Sequence, residues 1–148
     1  MQTQLPAQDR NWAMAAHLSA LVAIAGLPFG HVLGPLIVYL TKGHESEFVA
    51  GHARASLNYQ ITVTMALIVF VIIAIAATVA FAIPLAATNE SDSSGATAAG
   101  LTFVGFWVAI GGAAVVVLLL SLVFIIRGAY AASNGEPYEY PFAIRFFH

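Results

Sequence analysis

A chain of 148 residues that is 60% hydrophobic and 8% charged falls outside the soluble globular class, where about 25% of residues are charged, and a domain this small buries too little of its own surface to hide the apolar excess. A formal net charge of −2 without a basic block argues against nucleic-acid binding. The absence of cysteine excludes disulfides, thiolate metal sites, iron–sulfur clusters and thiol catalysis.

Residues 1–11 are polar, and Trp12 is placed as an interfacial anchor with an apolar ring and a wet N–H. Ala23-Ile24-Ala25 has the small residues of a signal cleavage site, but Asp9 offsets Arg10 and His17 interrupts the apolar stretch. The segment is therefore expected to be mature structure. A helix is predicted from Trp12 to Leu27, a break at Gly26-Leu27-Pro28-Phe29-Gly30, and a second helix from His31 to Leu40. As one straight helix, Ala13–Thr41 would be about 43 Å long, which is excessive for one span. As a hairpin, each arm is short for a full crossing. The cluster of breakers favours a short, tilted or re-entrant hairpin over residues 12–41, with Trp12 and Lys42 on one side. A single kinked span is the alternative.

Lys42–Gln60 is the most polar connection. From Glu45 one helix is predicted to run along the interface and into the membrane as far as residue 84, with Ser46 as its cap or first-turn residue. Ile61–Ala87 contains no Asp, Glu, Lys or Arg, and neither does Ala96–Ile126. At about 1.5 Å per residue, both exceed the roughly 30 Å hydrocarbon core. Pro84 and the polar stretch Asn89–Ser94, with Glu90 and Asp92, are expected to separate them. The last helix is predicted over 97–133, stopped by Asn134-Gly135, and residues 135–148 form an extended aromatic tail suited to the headgroup zone. The fold class is thus an all-α integral membrane protein, a small helical bundle in one membrane domain. Lys42, Arg54, Arg127 and Arg145 share the side opposite Asn89–Ser94, which predicts a cytoplasmic C-terminus.

Candidate chemistry concentrates on the central helix. His52, Ser56, Gln60 and Thr64 recur every four residues along one side, with Arg54 and Asn58 as a second pair. Such groups at membrane depth face protein or a wet cavity. They read either as a polar groove that contacts a partner or as helix-to-helix hydrogen bonding. The histidines His17, His31, His44, His52 and His148 show no metal-ligand spacing, and His17 reads as a packed core histidine. Gly105, Ala109 and Ala113 form a small-residue stripe that signals close packing. Hydrolytic and phosphate-loop motifs are missing. No catalytic residue, metal or cofactor is expected.

Four segments form an ordered series: Trp12-Ala-Met-Ala-Ala-His17-Leu18, Leu33-Gly34-Pro35-Leu-Ile-Val-Tyr39-Leu-Thr-Lys42, Phe48-Val-Ala-Gly-His52-Ala-Arg54-Ala-Ser56-Leu-Asn58-Tyr-Gln60-Ile-Thr62, and Ala131-Ala-Ser-Asn-Gly135-Glu-Pro-Tyr-Glu-Tyr140-Pro141-Phe-Ala-Ile-Arg145-Phe146. Together they resemble a prokaryotic, Tic-like family of small membrane proteins that includes the magnetosome proteins MamF and MmsF. The resemblance implies four helices with cytoplasmic termini in an inner or intracytoplasmic membrane. It marks His17, Gly34, Pro35, Tyr140, Pro141 and Arg145 as structural motif residues. It also implies a non-enzymatic role in structure, assembly or translocation, with lipid and other membrane proteins or further copies of the chain as partners. An accessory subunit of a respiratory or photosynthetic complex, or a small channel or transporter, are the alternatives.

Overall fold

Backbone groups in lipid have no water to bond, so helices satisfy them within each segment. In the computed structural model all regular structure among the described residues, 5–87 and 93–148, is helical. Helix α1 spans Ala7–Leu18, a 3-10 segment follows over Ser19–Ala25, and α2 spans Gly30–Lys42. The long helices are α3, Glu47–Ala87, and α4, Ser93–Asn134. This is the predicted class: all-helical, with a broken N-terminal hairpin and two helices apolar enough to cross a membrane, Glu47–Ile83 and Thr97–Asn134.

The boundaries moved for physical reasons. Helix α1 starts five residues earlier than expected, because Pro6 sets an extended entry (φ −54, ψ 141) and Asp9 lies in the first turn, where the helix dipole favours a negative charge. Ser46 does not cap α3 with its side chain. Its carbonyl accepts from the Ala50 N–H at 2.9 Å, while its hydroxyl donates to Asp9 Oδ2 at 2.6 Å and ties the start of α3 to α1. Helix α3 continues past Pro84 to Ala87. One proline removes one backbone donor, a loss that membrane helices tolerate. Helix α4 begins at Ser93, and the expected loop with Glu90 and Asp92 falls on residues 88–92, outside the described residues.

The hairpin turns where the breakers lie. Gly26 (φ 88) and Phe29 (φ 58) adopt left-handed conformations, open to glycine without penalty, and the Gly26 N–H caps the 3-10 segment at the Ala23 carbonyl. The arms return to one place: Lys42 Nζ stands 5.5 Å over the Trp12 ring. Gly34 permits this packing. A Cβ there would stand 2.6 Å from the Ser19 carbonyl oxygen, so α2 meets the 3-10 segment backbone to backbone. The neighbouring Pro35 is fully buried. At its other end the chain closes α4 with a Schellman motif. The Gly135 N–H bonds the Ala132 carbonyl and the Glu136 N–H that of Ala131, with Gly135 at φ 77.

The chain divides into two compact units, one from Met65 to Leu120 and one made of the residues up to Thr64 with Ser121–His148. In the first, Phe81 packs on Phe106 at 5.8 Å and on Phe103 at 6.4 Å. Its outer surface is apolar: Ile72, Ile73, Ile83, Leu101 and Val108 are 61–69% exposed, a face for lipid. The second holds two small cores, Ala16–Val38–Val49–Ala53 and Ala20–Tyr59–Ile125–Tyr140, and all the candidate site residues.

Candidate functional site

The polar positions of α3 are buried against the chain's own segments. His52, Ser56, Asn58 and Gln60 are each at most 6% exposed. Thr64 Oγ1 donates to the Gln60 carbonyl at 2.7 Å, which uses its only proton. It therefore accepts from His31 Nε2–H of α2 at 2.8 Å. Asn58 grips the C-terminal tail. Its Oδ1 accepts from the Phe146 and Phe147 N–H groups, both at 2.9 Å, and its Nδ2 donates to the Phe147 carbonyl at 3.0 Å. One turn on, Thr62 Oγ1 donates to the Asn58 carbonyl and accepts from the Ile144 N–H at 2.9 Å. The tail, which has no regular structure of its own, thus has the N–H groups of Ile144, Phe146 and Phe147 and the Phe147 carbonyl satisfied by α3.

His17 is the centre of the second network. It is fully buried. Its Nδ1 lies 2.8 Å from the Tyr140 hydroxyl and its Nε2 lies 2.8 Å from His52 Nδ1. One proton assignment satisfies every contact. His52 Nε2 faces the Glu136 carbonyl without closing a hydrogen bond, so the proton belongs there and His52 Nδ1 accepts. His17 then donates through Nε2 and accepts at Nδ1 from the Tyr140 hydroxyl. Tyr140 also stacks on Tyr59 at 4.2 Å and 13°, and the Tyr59 hydroxyl donates to Ser121 Oγ of α4 at 2.9 Å. Burial raises the Tyr140 pKa well above the ordinary phenol value, so the ring stays a neutral donor. Three chain segments far apart in sequence meet here because Gly128 of α4 leaves room. A Cβ at that position would stand 2.8 Å from His17 Nδ1.

Two of the sequence expectations change. Tyr140, assigned to the headgroup zone, is 5% exposed, because its hydroxyl finds a partner in the interior that lipid headgroups would otherwise have to supply. Phe142, one turn on, is 93% exposed at φ 63 after Pro141. Arg54 and Arg145 are outside the buried network; they pair with Glu47 and Glu139 respectively. Ser56 Oγ faces the Tyr140 hydroxyl without normal hydrogen-bond geometry, and Gln60 Nε2 has no hydrogen-bond partner. Among the described residues no three His, Asp or Glu side chains gather to hold a metal. The sequence does not single out Tyr59, Thr62, Gly128 or Ser121, and it offers His31 only as one of five histidines without metal-ligand spacing. Thr62 stands four residues after Asn58, and that spacing is its signal, while nothing local marks Gly128.

The network makes the fold sensitive to acid. Burial, and then the neighbouring His52, lower the His17 pKa from 6.5 to about 3. Below pH 6.5 the unfolded chain takes up a proton that folded His17 refuses, so stability present above 6.5 is lost progressively as the pH falls toward 3. Near-ultraviolet dichroism of the tyrosines in detergent should fade over that window. His17→Gln should flatten the loss, whereas His44→Gln, on an exposed connection, should leave it in place.

No curated protein and no solved structure matched the chain. The model of one family, described as the magnetosome magnetite crystal formation protein family, MamF and MmsF, matches residues 8–147. Because that match covers nearly the whole chain, the protein belongs to the MamF and MmsF family.

Proposed function

We propose that this chain is a non-enzymatic membrane scaffold, with a cytoplasmic C-terminus, in a prokaryotic inner or intracytoplasmic membrane. The observation that carries the reading is the use of α3's polar groups: Asn58, Tyr59, Thr62 and Thr64 all bond the chain's own hairpin, tail or α4. Such groups build a rigid head and are spent on it, which speaks for a structural or assembly role over an open translocation groove. The family's connection to magnetite crystal formation suggests the setting: a scaffold that organises the membrane around a growing mineral.

The test is complementation in a magnetosome-forming cell stripped of its own family members. The chain should restore crystal size in electron micrographs, and His17→Ala should not. Crystals unchanged by the intact chain would remove the mineral setting. A second reading, a subunit of a larger assembly, has its own support. A Cβ at Gly105, Gly111 or Gly112 of α4 would meet nothing within 4 Å, leaving space for the close approach of a neighbouring helix. Native mass spectrometry of particles extracted in lipid should then show further copies or other membrane proteins, and a bare monomer would count against it.

A further inference from the structure

The first turns of α3 and the C-terminal tail form a groove of about 480 Å³, walled in part by His52 and Tyr140 of the buried histidine network. Arg54 and Arg145 line the groove with Phe48, Tyr138 and Phe147. Each guanidinium has five N–H donors; one nitrogen of each meets its glutamate, and Arg54 also reaches the Tyr39 hydroxyl. The glutamates are themselves turned to solvent, with side chains 82% and 74% exposed for Glu47 and Glu139. Donors therefore remain free in the groove for an oxyanion.

Two features narrow the ligand. Along α3, Arg54 lies seven residues, or about 10 Å, before Ile61, where the uncharged run begins. That is the depth of the headgroup layer beside a roughly 30 Å hydrocarbon core, and the aromatic lining suits it. The charges are also balanced: two arginines, each matched by one glutamate. A purely anionic ligand would meet both carboxylates unfavourably. A ligand with a phosphodiester and an amine places an anion on the guanidiniums and a cation on the glutamates.

We infer that the groove binds the zwitterionic headgroup of an amine-bearing phospholipid, phosphatidylethanolamine in class, with the phosphodiester on Arg54 and Arg145 and the ammonium on Glu47 and Glu139. This goes beyond the scaffold reading, which stands or falls without it.

The full chain, in detergent with equal amounts of phosphatidylethanolamine, phosphatidylglycerol and phosphatidylcholine of matched acyl chains, is the material for the test. Native mass spectrometry should show one phosphatidylethanolamine retained per chain, at least ten-fold over the other two lipids. Arg145→Gln changes a side chain that is 65% exposed, so the fold should survive as judged by tyrosine dichroism, and retention should drop about ten-fold. Arg54→Gln should do the same. Soluble glycerophosphoethanolamine should displace the lipid, and inorganic phosphate should not. Equal retention of the three lipids, retention unchanged in a folded Arg145→Gln chain, or displacement by inorganic phosphate alone would each overturn the assignment.

Discussion

Gly128→Ala should destabilise the unit that carries the histidine network by about 2–4 kcal/mol, the combined scale of overpacking a core and leaving buried polar groups unpaired. The new Cβ would stand 2.8 Å from His17 Nδ1 and 2.9 Å from the next ring carbon, Cε1, and the ring has no direction of retreat that keeps both hydrogen bonds. Moving it breaks the 2.8 Å contact to Tyr140, or the equal one to His52, or both. The Trp12 end of the hairpin should loosen with it, because α1 carries both Trp12 and His17. Denaturation in detergent, followed by tryptophan emission and tyrosine dichroism, would read this. The matched control is Gly111→Ala, where a Cβ meets nothing within 4 Å. There alanine should be neutral or stabilising by up to about 1 kcal/mol, since it is the better helix former. Equal stability of the two variants would show that the His17 contact contributes nothing.

Asn58→Ala should release the C-terminal tail while leaving the helices in place. Three hydrogen bonds from one side chain hold Phe146 and Phe147. At about 0.5–1.5 kcal/mol each, their loss comes to about 2–3 kcal/mol, because the freed amides lie near the surface and regain water. The Thr62 bond to the Ile144 N–H and the Tyr39–Phe147 ring contact at 6.1 Å remain, so the tail should open by local unfolding and not by global loss of structure. Trypsin cleavage after Arg145 should accelerate on the order of ten-fold or more, following the population of the open form. Asn58→Asp keeps an oxygen for both amides but turns a second oxygen toward the Phe147 carbonyl, and should fall between. A tail cut at the same rate in all three chains would mean that Thr62 and the aromatic contacts hold it without Asn58. Gln60→Leu provides the contrast on the same helix. Its Nε2 has no hydrogen-bond partner, so its removal should change stability by less than about 1 kcal/mol.

The sequence by itself determined what depends on local chemistry. Long uncharged runs required two membrane-crossing helices, since nothing else satisfies the backbone in hydrocarbon. The breakers at Gly26, Pro28 and Gly30 required a turn, and with short arms on either side the chain had to come back, as the Lys42–Trp12 contact shows. Four-residue spacing put His52, Ser56, Gln60 and Thr64 on one side of α3, because helical periodicity is a property of the segment alone. Helix ends were less legible at Ala7, Ala87 and Ser93, where lipid and tertiary ties such as Asp9–Ser46 override local stop and start signals. The partners of the stripe were decided only by the tertiary structure. His17 and Tyr140 are 123 residues apart, and Asn58 and Phe147 are 89 apart. No period or spacing links such residues; they meet because two glycines, Gly34 and Gly128, let backbone and ring approach to distances that any other side chain would block. A periodic pattern names the face that must be buried, and packing across the fold chooses what buries it.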